Sequence, residues 1–323
     1  MAALTYDDVA VLMKLQYEFE PLSPDPYAAA ASPLGLNEEE LLDRLKRLHK
    51  SGIIKRVGFY VNYRSQGREA ALIALDVTDV DAVREAVSSD LQVTHAYVRD
   101  DPDYNVWLVV KRPGLQELVR AAQDISARAR ARKFVVLRSL RTFKLSVKYD
   151  LVAGVSRSGP YSTLRPNPPR PEDIGVEPGL PSLVSRLPLV EDPYGAVASY
   201  LNVDREHVIN AVKRLLESGV LADPGAALDG ERLGFRFNGM ILLDPRGPVE
   251  RACKVVSRHD NTTHVVLRET YPATSFRYRC YAMVHAVRKE LVEQVARQIA
   301  EAADARSWRV VYSYEDLKPG FVR

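Results

Sequence analysis

Apolar positions along the chain follow two different rhythms. Val9, Leu12, Met13 and Leu15 are spaced as one face of a helix, residues 27–32 form a second short helical stretch, and Leu41, Leu42, Leu45 and Leu48 stripe a third over 37–51. Asn37 followed by Glu40 is a capping-box pattern, and Gly52 is a stop signal. Residues 53–63, I-I-K-R-V-G-F-Y-V-N-Y, then read as a strand or wing. Three helices and a wing predict a winged helix-turn-helix. Beyond it the rhythm changes to a strand at 70–77, a helix at 80–88, strands at 94–99 and 104–111 around the turn D-D-P-D, a helix at 115–131 and a strand at 133–144. That order, β-α-β-β-α-β, is ferredoxin-like.

The pattern occurs twice. Shifted by 167 positions, residues 21–58 align without a gap on 188–225 with 16 identities in 38 pairs, among them Asp25/Asp192, Tyr27/Tyr194, Lys46/Lys213 and Ser51-Gly52/Ser218-Gly219. The offset grows to 169 at His95/His264 and to 174 at Tyr104/Tyr278 and Phe143/Leu317, so insertions fall in loops. The second copy predicts strand 237–243, helix 248–257, strands 262–268 and 278–286, helix 289–303 and strand 308–314. The expected fold is therefore α+β, a tandem duplication. Winged helix-turn-helix copies are expected at 1–63 and 183–232, ferredoxin-like domains at 64–151 and 233–323, and a Pro/Gly-rich extended linker at 152–182. The two halves are expected to pair as an intramolecular pseudodimer.

A length of 323 residues agrees with several compact units. The net charge of +3 balances 45 basic against 42 acidic residues, so no global basic field recommends nucleic acid. The first helix-turn-helix copy opens its third helix with Glu38, Glu39 and Glu40, which suit the helix dipole and repel phosphate; DNA is disfavoured as a partner. Cys253 and Cys280 are too few and too far apart for a disulfide framework and point to a reducing compartment. With neither a leader pattern nor an apolar run of about 18 residues, a cytoplasmic protein without membrane contact is expected.

Candidate chemistry centres on residues 93–107, V-T-H-A-Y-V-R-D-D-P-D-Y-N-V-W. On a strand, His95, Tyr97 and Arg99 leave the same face. His264 and Arg268 repeat the spacing in the second copy, and the chain has only six histidines. A histidine on a strand serves equally as a satisfied core or interface group, so the duplication is what draws attention to this pair. Arg56, beginning the wing after Lys55, and Lys144, matched by Lys318, add cations able to hold carboxylates. Tyr97, Tyr104, Trp107, Phe276, Tyr278 and Tyr281 suit either a flat apolar pocket or the core. Metal-ligand spacings, a phosphate-cradling glycine loop and a G-x-S-x-G elbow are all missing from the sequence.

A winged helix followed by βαββαβ is similar to the Lrp/AsnC regulators. Several stretches resemble more closely the siroheme decarboxylases, an offshoot of that family acting in the alternative heme and heme d1 pathways, usually as two paired subunits. In the first half these are P-L-S-P-D-P-Y (21–27), S-G-I-I-K-R-V-G (51–58), T-H-A-Y-V-R (94–99) and Y-N-V-W (104–107). In the second they are L-P-L-V-E-D-P-Y (187–194), L-G-F-R-F-N-G-M (233–240), T-H-V-V-L-R (263–268) and Y-A-M-V-H (281–285).

The resemblance covers nearly all but the linker and implies both subunits fused in one chain. It implies a carboxy-lyase that takes siroheme as substrate and removes carboxyl groups from two acetate side chains to give didecarboxysiroheme, with no cofactor or resident metal beyond the substrate's own iron. His95 and His264 would donate protons or orient substrate. Arg99, Arg268, Arg56 and Lys144 would hold carboxylates, Tyr97, Tyr104 and Tyr278 would line the pocket, and His285 is a further candidate. The alternative is a DNA-binding regulator of Lrp/AsnC type that senses a small molecule. The copies differ at Lys55-Arg56 against Ala222-Asp223 and at Tyr97 against Val266, so the halves have specialised.

Overall fold

The computed structural model describes residues 4–159, 164–274 and 276–319. The first half runs α1 (Tyr6–Tyr17), α2 (Pro26–Ala31), α3 (Glu38–Lys50), β1 (Ile54–Val61), β2 (Glu69–Asp76), α4 (Val80–Val87), β3 (Val93–Arg99), β4 (Val106–Arg112), α5 (Leu115–Arg128) and β5 (Lys133–Leu145). The join holds β6 (Tyr149–Asp150), β7 (Val155–Ser156) and α6 (Leu180–Val184). The second half runs α7 (Pro193–Leu201), α8 (Arg205–Glu217), β8 (Leu221–Leu228), β9 (Phe237–Pro245), α9 (Val249–Val256), β10 (His264–Tyr271), β11 (Cys280–Ala286), α10 (Lys289–Ala302) and β12 (Ala305–Asp316). Two compact units regroup these pieces. Unit 1 gathers both winged-helix copies and most of the join, and unit 2 gathers both βαββαβ copies.

In unit 1, α3 starts as its sequence demands. The Asn37 side chain accepts from the Glu40 amide at 2.8 Å while the Glu40 carboxylate accepts from the Asn37 amide at 2.9 Å. Leu41, Leu42, Leu45 and Leu48 are buried on the face that their spacing defines, each burial stabilising by about 1.5–3 kcal/mol. They join Leu12, Leu15, Tyr27, Tyr194, Val208 and Leu215 in one core shared by both copies. The two wings pair with each other, β1 antiparallel to β8. The join departs from an extended linker: Val176, Leu180 and Val184 are buried in this core, and residues 180–184 are helical. The prolines concealed an apolar spacing of four between these three residues, which becomes productive only against a preformed core.

In unit 2, eight strands close into an antiparallel ring. The order is β10-β5-β2-β4-β3-β12-β9-β11, and β11 returns to β10. The halves interlock at two joints, β3 with β12 and β5 with β10. One face of the strands carries α4 and α5 of the first half, with Val83 and Leu118 of the helices packed in one core with Ile73 and Leu108 of the strands. Eight strands leave an interior that side chains fill or that holds one small ligand. Here Leu72, Trp107, Leu137, Met240, Leu242, Phe276, Tyr281 and Val311 form a buried cluster on the inward face.

Cys253 of α9 and Cys280 of β11 are bonded to each other, a single bridge that the reading of a reducing compartment did not anticipate. Their separation of 27 residues argues against a framework but does not prevent a single bridge, because α9 packs against β11. Among the described residues no helix is long and apolar enough to cross a membrane.

Candidate functional site

Register decides which side chains share a face. Residues directly opposite in an antiparallel pair point the same way, and His95 lies opposite Val109 while Tyr97 lies opposite Trp107. Trp107 belongs to the ring interior, so His95, Tyr97 and Arg99 face inward together. The His95 and Tyr97 rings lie 5.9 Å apart, and the Arg99 guanidinium sits 5.4 Å from the Tyr97 ring centre. In the second copy His264 lies opposite Met283 and Val266 opposite Tyr281, again inward. Here Arg268 sits 5.3 Å from the Tyr281 ring. Each arginine thus has an aromatic neighbour, supplied by its own strand in one copy and by the adjacent strand in the other.

The histidines are held alike. His95 Nδ1 meets the Thr94 hydroxyl at 3.0 Å, and that hydroxyl donates to the Val109 carbonyl at 3.4 Å. His264 Nδ1 meets the Thr263 hydroxyl at 3.1 Å, and that hydroxyl donates to the Met283 carbonyl at 3.3 Å. A hydroxyl has one proton; when the carbonyl takes it, the ring nitrogen must be the donor to the hydroxyl oxygen. In that arrangement Nδ1 carries the proton of the neutral ring and Nε2 is the unprotonated nitrogen. Sequence reasoning passed over Thr94 and Thr263, although the repeated dipeptide T-H was visible.

The structure does not bring His95 and His264 together. Strands β3 and β10 are four steps apart in either direction around the ring, so the molecule carries two copies of the constellation. Arg99 Nη1 donates to the Val311 carbonyl at 3.2 Å, and Arg268 Nη1 donates to the matching Leu137 carbonyl at 3.1 Å and to Ser139 Oγ at 2.8 Å. Both arginines therefore cross-link a strand to one from the other half. Burial pushes the Arg99 guanidinium down to about 10, with Tyr97, Asp100 and Asp101 opposing the shift.

Lys144, expected to hold a substrate carboxylate, is placed elsewhere. It is fully buried and donates to the His259 carbonyl at 2.9 Å, just beyond α9. Its counterpart Lys318 donates to the Val87 carbonyl at the end of α4 and to the Asp90 carbonyl just beyond it. These lysines terminate helical turns in the opposite half, and their aliphatic stems cross the interface between halves. Burial pushes Lys144 down to about 8.

Tyr104 and Tyr278 fall just outside β4 and β11, where the Asp101 carboxylate accepts the Tyr104 amide at 3.0 Å. They meet through Phe276, at 5.6 and 5.5 Å, rather than around a histidine. Arg309, another residue that the sequence did not single out, lies 4.8 Å from the Tyr278 ring and 5.5 Å from Phe276, and pairs with Asp103 at 2.8 Å and Asp101 at 3.2 Å. His285 faces inward two residues beyond Met283 and meets Asn238 Oδ1 at 2.5 Å. Arg56 lies in unit 1, where its Nη1 donates to the Ser185 carbonyl at 3.3 Å. Among the described residues no group of three or more His, Cys, Asp or Glu is placed to hold a metal ion.

The AsnC-like ligand binding domain family matches residues 65–144 and 232–318, and the siroheme decarboxylase NirDL-like HTH domain family matches 8–55. A siroheme decarboxylase of Hydrogenobacter thermophilus is 26% identical over 312 residues, covering 95% of this chain and 92% of that protein. The siroheme decarboxylase beta subunit of Methanosarcina barkeri is 32% identical over 139 residues, 41% of this chain and 91% of the subunit. The crystal structure of the siroheme decarboxylase NirDL in complex with an iron-uroporphyrin III analogue superposes with a TM-score of 0.64 at 23% identity, covering 96% of this chain and 92% of that one, and shows the shared fold. With separate subunits matching about two fifths of the chain and fused relatives matching nearly all of it, the chain belongs to the siroheme decarboxylase family in its fused, NirDL-type form, built on two AsnC-like ligand binding domains.

Proposed function

We propose that this chain decarboxylates siroheme, converting two ring acetates to methyl groups in the order R–CH2–COO⁻ + H⁺ → R–CH3 + CO2. The observation that carries the reading, given the family, is the Thr–His pair duplicated on equivalent inward-facing strands. Loss of carbon dioxide leaves the electron pair of the broken C–C bond on the methylene carbon. The conjugated macrocycle of the substrate spreads that charge, and an imidazolium Nε2–H of His95 or His264 delivers the proton that completes the methyl group. The threonine hydroxyl on Nδ1 holds the ring so that Nε2 is the transferring atom. On this reading the enzyme is a carboxy-lyase that needs no added cofactor, and the iron arrives with the substrate.

Arg99 and Arg268 act as fixed positive charges that favour bound carboxylates, while Tyr97 in one copy and Tyr281 in the other offer flat apolar surface. Tyr104, Tyr278 and His285 are proposed to lie around the substrate rather than to react. The halves are read as an intramolecular pseudodimer, supported by the two strand joints of the ring. A DNA-binding role is not favoured: the wings pair with each other and α3 opens with three glutamates.

The test is anaerobic incubation of the purified protein with siroheme, following the tetrapyrrole by mass and absorption. Loss of two carbon dioxide equivalents is expected. His95→Ala and His264→Ala together should lower turnover by about 10²–10⁴-fold. Undiminished carbon dioxide release from the double variant would sink the histidine assignment.

A further inference from the structure

Unit 1 contains a cleft of about 410 Å³ between α3, β1 and the segment at 186–189, lined by residues of that unit. Lys46 and His49 line it from α3, Lys55 and Arg56 from β1, and Arg186 from the third wall; among the described residues no carboxylate lines it. The walls are tied together. Leu187 donates its amide to the Val57 carbonyl at 2.8 Å, and His49 Nδ1–H donates to the Ile54 carbonyl at 2.9 Å. Lys55 pairs with Asp229 at 3.2 Å and Lys46 approaches Asp43 at 3.9 Å, both partners standing outside the lining.

The duplication provides an internal control. The second copy keeps Lys213 for Lys46 but has Leu216, Ala222 and Asp223 where the first has His49, Lys55 and Arg56. It folds into the same helix and wing, α8 and β8, and Asp223 there accepts from the Ser146 hydroxyl at 2.7 Å. The scaffold therefore does not require cations at these positions. Beyond the pairs that Lys55 and Lys46 make with carboxylates outside the lining, a concave, pre-tied site rich in cations favours a multiply charged ligand.

We infer that this cleft binds a small, multiply charged oxyanion, with the Lys55 and Arg186 side chains among the groups that hold it. The volume suits an organic di- or tricarboxylate or a polyphosphate, and both share the chemistry that guanidinium and ammonium groups recognise. The inference does not rest on siroheme turnover.

Isothermal titration of the full chain at low salt with citrate, with inorganic pyrophosphate and with acetate tests it. Saturable one-to-one binding of citrate or pyrophosphate is expected, whichever of the two is tighter naming the source, with acetate at least tenfold weaker. Lys55→Ala combined with Arg186→Ala should weaken that binding tenfold or more, while Lys213→Ala, the matched cation of the second copy, should not. If melting shows the double variant to be unfolded, Lys46→Gln, on an exposed helix position, takes its place with an expected loss of severalfold. Absence of saturable binding to either polyanion, equal affinity for acetate, or undiminished binding by the folded variants would each overturn the proposal.

Discussion

Thr94 and Thr263 do the same work for the histidines that follow them, through a single hydroxyl that links ring to strand carbonyl. Thr94→Val and Thr263→Val keep the shape and remove the relay. Together they are expected to lower kcat about tenfold and to displace the acidic limb of its pH profile, with KM little changed, while the serine variants restore activity. Lys144 makes a prediction of a different kind. Burial holds it at about 8 against its ordinary 10.5, so between those values the unfolded chain binds a proton that the folded chain has lost. Its contribution to stability is therefore complete above pH 10.5 and lost as pH falls through about 8. Lys144→Met should remove that rise, worth about 3 kcal/mol, as the difference between wild-type and variant denaturation curves at pH 7.5 and 10.5; other titrating groups are common to both and cancel.

At the scale of elements, the firmest repeated feature is the glycine in each wing. Gly58 and Gly225 hold φ of +150° and +130°, and a Cβ on either would stand 2.4 Å from a backbone oxygen, that of Ser185 or of Leu15. Nothing flexible can yield there. Gly58→Ala and Gly225→Ala are each expected to cost about 2–4 kcal/mol, measured as a lower urea midpoint with unchanged slope. Most helices and strands were legible in the sequence because their apolar periods match faces that are in fact buried, as with Leu41, Leu45 and Leu48. The helix at 180–184 was not, because prolines around it suggested an extended chain and its apolar residues gain only from a core assembled elsewhere.

At the scale of the molecule, neither βαββαβ copy closes a ring alone. Each ends in a strand, β5 or β12, that lies against the other copy. Residues 1–158 and 164–323 produced as separate chains are therefore expected to co-purify as a one-to-one complex, whereas either alone self-associates or precipitates through unpaired strand edges. Light scattering on the co-expressed and single chains checks this.

Local pattern and internal repetition were enough to establish the order of elements, the duplication, the shared face of His95, Tyr97 and Arg99, and the family likeness, because each is written in spacing along one strand or one offset. Tertiary structure alone decided which groups meet. It set His95 and His264 on opposite sides of one ring, gave Arg99 and Arg268 to carbonyls of the opposite half, and buried Lys144 beyond α9. It also moved Arg56 into a separate basic cleft and joined Cys253 to Cys280. The reason is physical: periodicity fixes the direction in which a side chain leaves its own element, whereas its partner is chosen by closure of the sheet, where strands far apart in sequence exchange backbone hydrogen bonds.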